Sequence, residues 1–321
     1  MTQRVPIDLP GSVTAHFVVA VPEPAAFSAE LVRAPLPPPS AAGGPAATAR
    51  RLHAASRLVV GGGPAATSGW AGRLSAVAGP GDATASLPAA THHIVVTSTG
   101  PPATGPHEAM AARFLARSLA GRTGGVVVDV TANQALSRAG PAGAVPAADG
   151  GAFALGDEWL AVFVRYHEEV SAAGLVRVET AGLRRFALPE LAMPHVPLGR
   201  MLTAVNIVRA LAHRLLHDHW AWLAAHREEP VRWVDREHYA AARDVWRYWG
   251  ARPVGGGGVW VRLSAGVGPA PDRVAWLEIT PCTARPRDDW WAEEAAPVIP
   301  LLTSAPAAPP RVPRHRPTCL G

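Results

Sequence analysis

Short runs of apolar, β-branched residues recur along the chain, and several of them alternate apolar with polar positions. Such a period of two predicts β-strands with one buried face. The predicted strands are residues 13–21, 57–60, 92–99, 126–131, 159–166, 175–180, 259–263 and 274–280. In 159–166, for example, Leu160, Val162 and Val164 face one side and Arg165 faces the other. Half-buried strands of this kind favour a mainly antiparallel sheet.

Three further segments, 106–120, 197–226 and 236–249, predict helices. The widest apolar face belongs to 197–226, which begins at Pro197 and ends before Pro230. Together these elements predict an α+β fold, an α/β sandwich with helices packed on one face of a mainly antiparallel sheet.

Composition changes along the chain and indicates its organisation. Residues 1–90 are rich in Ala, Pro and Gly, and we expect short strands there that pack on a main α+β domain over 91–302. Ten of the eleven tryptophans lie at or after Trp159, so the bulky packing residues belong to that main domain. Residues 303–321 combine prolines with a small basic cluster and predict a disordered C-terminal tail.

Several features predict a cytoplasmic protein with no membrane segment. No window approaches the run of about 18 apolar residues that a transmembrane helix needs. The first ten residues carry no apolar stretch of the secretory-signal type. The two cysteines, Cys282 and Cys319, are too few for a disulfide framework.

The charge pattern narrows the functional classes further. The formal net charge is +5, but the arginines are spread along the chain and interleaved with 25 acidic residues, so we regard nucleic-acid binding as disfavoured. All 30 basic residues are arginine. The absence of lysine excludes Walker-type nucleotide hydrolysis, pyridoxal chemistry and protein-kinase chemistry by their usual routes.

The segment LVVGGGPAA, Leu58 to Ala66, imitates a flavin-binding fingerprint. In that fingerprint a strand leads through a glycine turn into a helix that holds the pyrophosphate. Here Gly69, Gly72 and Gly79 interrupt the region where the helix belongs. We therefore predict a strand followed by a loop, and we expect no dinucleotide or other cofactor.

A polar stripe marks the predicted helix 197–226. Asn206, Arg209, His213 and His217 recur at spacings of three and four residues, which places them on one helix face. Two imidazoles at this spacing suit a metal, with a third ligand from Glu190 or His195. Because no local third ligand accompanies the pair, we expect no metal site. A solvated helix face is the plainer alternative.

The stretch Thr180 to Leu191 combines a turn glycine with several candidate site residues. Gly182 permits a turn after a strand, and the turn delivers Glu190 and His195 to the start of the long helix. We predict a pocket with Glu190 as the proton-transfer group and His213 as the second acid or base. The predicted substrate-binding residues are Arg184, His195, Asn206 and Arg209. A structural Glu190 that caps the turn or bridges to arginine is the alternative.

The pattern T-x-G-L-x-x-F-x-L-P-E-L in this stretch is preceded by THHIVVTSTGPP and GGVVVDV. With these segments the chain resembles an actinobacterial family related to a bacterial domain of unknown function, over roughly residues 91–220. Ala187 stands where that domain has glycine after the phenylalanine. The resemblance implies a type of fold and no activity.

These observations lead to one functional hypothesis and two alternatives. The hypothesis is a cofactor-independent enzyme with cyclase- or isomerase-like acid–base chemistry, or a binder, that takes a small organic molecule in actinobacterial specialised metabolism. The first alternative is a non-catalytic structural or interaction protein with a protein partner. The second is a metalloenzyme that uses His213 and His217.

Overall fold

The computed structural model describes residues 3–36, 44–79, 81–136, 153–166, 174–267 and 275–304. In these ranges thirteen strands form three sheets. The strands are β1 Arg4–Asp8, β2 Val13–Val21, β3 Leu58–Pro64, β4 His92–Gly100, β5 Val126–Asp129, β6 Gln134–Ala135, β7 Ala161–Arg165, β8 Leu175–Ala181, β9 Glu190–Pro197, β10 Val231–Asp235, β11 Glu237–Ala241, β12 Gly258–Val267 and β13 Ala275–Pro281.

Helices connect and cover these sheets. They are α1 Ala29–Arg33, α2 Gly44–Ala54, α3 Ala71–Leu74, α4 Gly81–Ala85, α5 Gly105–Thr123, α6 Gly156–Trp159, α7 Met201–Ala225, α8 Ala242–Tyr248, α9 Arg287–Asp289 and α10 Ala296–Val298, with a π-helical turn Trp290–Ala295 between the last two. No helix in the described ranges is long and apolar enough to cross a membrane.

The N-terminal sheet has the order β3-β4-β2-β5-β6, and all its strand pairs are antiparallel. Along β2, Phe17 and Val19 belong to the large core that includes α5, whereas Val18 and Ala20 belong to a smaller core on the opposite face. The smaller core is closed by the segment 65–90. Because β2 lies between β4 and β5, the strands β2 and β3 of the first 90 residues form this sheet jointly with β4, β5 and β6.

The C-terminal sheet has the order β11-β12-β13-β9-β8-β7. Its pairs are antiparallel except β13 with β9, which run parallel. The long helix α7 packs against β8, β9 and β11 and buries Ile207, Leu211 and Leu216 completely. The two-stranded sheet β1-β10 links the N-terminus to the C-terminal half. The predicted α+β fold with mainly antiparallel pairing is confirmed.

The structure contains elements that were not predicted, among them β1, β10 and α2, and it departs from the prediction near the site at two further places. The segment 236–249 is not one helix, because its first part forms β11 and pairs with β12, while only α8 is helical. The strand β9 was not predicted, since Pro194 and Pro197 argue against an interior strand. A β-bulge at Pro194 and His195, opposite Arg177, accommodates the proline.

The glycine motif lies within a strand, whereas the predicted strand ended at Val60 and was followed by a loop. Gly61, Gly62 and Gly63 lie inside β3 and pair antiparallel with β4. Only a single 3₁₀ turn, Ala65–Thr67, follows directly, so the geometry of a dinucleotide-binding turn is not formed. The predicted disordered tail falls almost wholly on residues 305–321, which lie outside the described residues.

Candidate functional site

Glu190, the first residue of β9, lies buried against the turn that follows β8. Its Oε2 accepts a hydrogen bond from the Thr180 hydroxyl at 2.7 Å. Its Oε1 accepts from the backbone N–H groups of Gly182 at 2.9 Å and Arg184 at 3.2 Å. Burial raises the pKa of the Glu190 carboxyl, and these hydrogen bonds and the Arg184 guanidinium oppose the rise. The carboxyl group therefore holds the turn together.

The turn itself requires glycine. Gly182 has φ +133°, and a Cβ atom there would lie 2.4 Å from the carbonyl oxygen of Trp159. The turn delivers Arg185 to Asp129 at the end of β5, with Nη1–Oδ2 and Nη2–Oδ1 distances of 2.7 and 2.8 Å. Both side chains have 0% exposure. The β8–β9 turn is thus the joint between the N-terminal and C-terminal sheets.

We expect Glu190→Ala to lower the free energy of unfolding by about 2–4 kcal/mol, because two buried donors and one partly buried donor would lose their acceptor. Glu190→Gln retains an amide oxygen for the two N–H donors and should cost about 1 kcal/mol. Urea unfolding monitored by circular dichroism measures both. The matched control is Glu179→Gln on β8, a less buried carboxylate paired with Arg165, for which we expect less than about 1 kcal/mol. A stability of Glu190→Ala equal to the parent would contradict the positioning role.

Arg209 and Asn206 belong to a second polar network. The Arg209 Nη2 lies 2.8 Å from both carboxylate oxygens of Asp157, and Nη1 donates to the carbonyl oxygen of Leu302 at 3.0 Å. The Tyr248 hydroxyl also donates to Asp157 Oδ1, at 2.7 Å. Burial and the Asp157 carboxylate raise the pKa of Tyr248 far above its usual value, so the phenol stays protonated. The network therefore ties α7 to α6 and α8.

Two predicted substrate-binding residues lie elsewhere. Arg184 is exposed at the β8–β9 turn. His195 is exposed at the bulge of β9, where its φ is +55°. The predicted set therefore divides among the turn (Glu190, Arg184), the bulge and the Arg209 network, and Glu190 does not line the cleft that His213 lines.

His213 lines a separate cleft of about 630 Å³ between α7 and α8. This α7–α8 cleft is bounded by Phe153, His213, Arg214, His217, Asp218, Arg243, Asp244, Arg247, Gly250 and Ala251. The His213 side chain is buried, and its Nδ1 has no hydrogen-bond partner. Its ring centroid lies 4.3 Å from that of His217, whose Nε2 is 3.3 Å from the Phe153 carbonyl oxygen. Burial first, then His217 and Arg247, lower the pKa of His213 to about 3, so the ring is neutral at pH 7.

The α7–α8 cleft is lined by more basic than acidic side chains. Arg247 pairs with buried Asp244 at 3.3 Å, and Arg214 lies 3.7 Å from Asp218. Arg243 is exposed, and none of the ion pairs within the described ranges involves it. Three guanidinium groups therefore face two carboxylates, which leaves the cleft with a net positive charge.

His213 and His217 were predicted from the sequence, whereas Arg243 was not, and Arg247 was considered only as part of an aromatic pocket with neighbouring tryptophans. The two arginines stand four residues apart, on one face of α8. That spacing is visible in the sequence, but the predicted helix 236–249 gave no reason to place it beside α7. In the structure Trp249, which follows α8, packs against α7. The guanidinium carbon of Arg209 on α7 lies 4.7 Å from the centre of the Trp249 ring.

A metal centre gains no support from the described residues. They contain no group of three or more His, Cys, Asp and Glu side chains that could hold an ion. His213 and His217 are neighbours, but Glu190 accepts hydrogen bonds in the β8–β9 turn and His195 lies at the β9 bulge. Neither of the two predicted third ligands lines the α7–α8 cleft.

Comparisons of the chain with protein-family models, with curated proteins and with solved structures found no match. The resemblance of residues 91–220 to an actinobacterial family therefore stays a prediction.

Proposed function

We propose that the α7–α8 cleft binds a small organic anion of the carboxylate class and that His213 exchanges a proton with it. The single observation that carries the proposal is the His213 imidazole, buried, neutral and without a partner for Nδ1 at the wall of a positively charged cleft. With a pKa of about 3 the imidazole is a weak base by itself, but a carboxylate anion bound beside it would raise that pKa and favour uptake of a proton. The proposal is a narrower form of the hypothesis of a cofactor-independent acid–base protein.

The arginines favour an anionic ligand. A guanidinium group binds a carboxylate through two parallel hydrogen bonds, and Arg243 has its donors free of any ion pair described in the structure. Arg247 sits one turn further along α8, on the same face. A volume of about 630 Å³ lies in the range of small-molecule sites. The ligand carboxylate would lie at the arginines and its reacting carbon near His213.

The other predicted residues support this cleft indirectly. The network of Arg209, Asp157 and Tyr248 anchors α8 to α7 and so fixes the position of Arg247. Glu190 acts in the proposal as a positioning residue of the β8–β9 turn. A cytoplasmic location is part of the proposal; within the described part of the chain Cys282 forms no disulfide. The setting in specialised metabolism is part of the proposal and is suggested by the family resemblance.

Binding is tested with succinate, and with succinamide as a neutral analogue of the same shape. We expect succinate to bind more tightly than succinamide in isothermal titration calorimetry. The double variant Arg243→Gln, Arg247→Gln should weaken succinate binding at least about tenfold, because it removes the charge-assisted hydrogen bonds. Arg33→Gln, an exposed arginine on α1, is the matched control and should bind like the parent. Equal binding of the two compounds would contradict an anion site.

Proton transfer is tested separately from binding. In D₂O we expect the protein to accelerate exchange of the protons next to the carbonyl of small 2-oxo acids, followed by proton NMR. His213→Asn retains a polar side chain but cannot act as a base, and it should reduce the acceleration by about 10²-fold or more. Binding of succinate without accelerated exchange would identify a binding protein and contradict the enzymatic half of the proposal.

A further inference from the structure

A second cleft, of about 400 Å³, lies between the N-terminal sheet and the segment 65–90. Its walls are mostly small and apolar. They are formed by Ala65, Ala66, Ala71, Leu74, Ser75, Val77, Thr84, Leu87, Pro88, Ala90 and His93. We call it the His93 cleft, because one imidazole stands among these groups.

His93 lies on β4 with 4% of its surface exposed, and its Nδ1 is buried without a hydrogen-bond partner. The hydroxyl groups of the cleft differ in this respect. Ser75 donates to the carbonyl oxygen of Gly72 at 2.8 Å, and Thr84 donates to that of Gly81 at 3.3 Å. Leaving a buried polar atom unpaired costs about 1–3 kcal/mol. Among the described side chains that line this cleft, His93 therefore carries the buried polar atom that lacks a partner and that a ligand would pair.

Two glycines of β3 place no side chain on the face of the sheet that carries His93. Gly63 stands opposite His93 and Gly61 opposite Val95, and cross-strand partners point to one face. A Cβ atom at Gly61 or Gly63 would meet no atom within 4 Å. By contrast, a Cβ at Gly62, on the other face, would lie 2.9 Å from the Phe27 ring. Open space beside β3 therefore occurs on the face that carries His93.

We infer that the His93 cleft binds a small, flat, mainly apolar molecule with one hydroxyl group, of the phenol class. The ring lies against the side chains of Leu74 and Leu87, and the hydroxyl forms a hydrogen bond with the His93 imidazole. Burial lowers the pKa of His93, with His92 adding to the effect, so the ring is a neutral partner at pH 7. This ligand differs in charge and location from the carboxylate proposed for the α7–α8 cleft.

The test compares 4-methylphenol with toluene, which has the same ring and methyl group but no hydroxyl. Titration calorimetry on the full chain should show 4-methylphenol binding about tenfold or more tightly than toluene, the effect of one buried hydrogen bond. His93→Phe should abolish that preference. Ala90→Phe, which fills the cleft and leaves His93 in place, should prevent binding of both compounds. His226→Phe, at the end of the long helix, is the matched control and should retain the preference.

Each contrary result is decisive. Equal affinity of the parent for the two compounds, or binding of neither, would overturn the inference. A preference retained in folded His93→Phe would also overturn it, because the hydroxyl would then have another partner. Circular dichroism shows whether each variant is folded. The comparison of the two ligands on the parent protein needs no variant, so it tests the inference even where a variant fails to fold.

Discussion

Asp129→Ala should lower the free energy of unfolding by about 3–5 kcal/mol, one of the largest losses expected from a single substitution in this protein. The substitution leaves the Arg185 guanidinium buried and charged with no carboxylate beside it. Both side chains have 0% exposure, and three aromatic rings, those of Phe17, Trp159 and Phe186, lie within 6.0 Å of the guanidinium carbon. Water cannot replace the lost partner there without opening the interface between the two sheets.

The measurement is urea unfolding at pH 7 with the free energy extrapolated to water. The double variant Asp129→Leu, Arg185→Met should lose much less than the sum of the two single changes, because no buried charge remains unpaired. The matched control is the exposed pair Arg4 and Asp235, with side-chain exposures of 61% and 54%. Asp235→Ala should cost less than about 1 kcal/mol. A similarly small cost for Asp129→Ala would show that the buried pair is not the joint described above.

The elements that could be predicted are those whose own residues determine them. The strand β2 and the helices α5 and α7 were predicted within a few residues, because each buries one face and carries that pattern locally. The strands β9 and β11 could not be predicted in this way. Their strand structure depends on neighbours far away in sequence, and β11 pairs with β12 through contacts such as Tyr239 with Trp260.

The same distinction applies to the candidate site: features set by local spacing could be predicted, and features set by distant contacts could not. His213 and His217 were predicted from helical spacing alone, and the structure places them together at the α7–α8 cleft. The role of Glu190 depends on donors brought to it by the turn at Gly182, which the sequence left as one of two interpretations. The pair of Asp129 and Arg185 joins residues 56 positions apart, and no local pattern connects them. Convergence of distant side chains is a property of packing, which a single sequence does not display.

The second large effect is a loss of stability on acidification from pH 7 to pH 5. His213 and His219 are buried, and each has its pKa lowered to about 3, mainly by burial. Charged neighbours contribute as well, His217 and Arg247 for His213 and Arg232 for His219. An interaction of the His219 ring with the backbone of Phe186 opposes the lowering but does not outweigh burial. Both rings are therefore neutral in the folded protein over this whole range of pH.

The direction of this change in stability follows from proton uptake by the unfolded chain. In the unfolded chain these histidines titrate at their ordinary pKa of about 6.5, so below that pH the unfolded state binds more protons than the folded one. Stability contributed by each group is complete above about pH 6.5 and is lost as the pH falls toward the folded pKa. The slope is about 1.4 kcal/mol per pH unit for each histidine, or about 2 kcal/mol each at pH 5. Glu190, whose pKa burial raises, contributes with the opposite sign.

Because other groups titrate too, the test compares the parent with a variant of the same protein. His219→Met removes one titrating ring and keeps an apolar side chain in the core. Any stability that the substitution itself loses at pH 7 does not affect the test, because the test compares changes with pH. Urea unfolding at pH 7, 6 and 5 should show that the variant loses about 2 kcal/mol less than the parent across this interval. His195→Gln, at the exposed bulge of β9, should follow the parent curve. A His219→Met curve parallel to that of the parent would mean that His219 takes up its proton in the folded state and is not held neutral by burial.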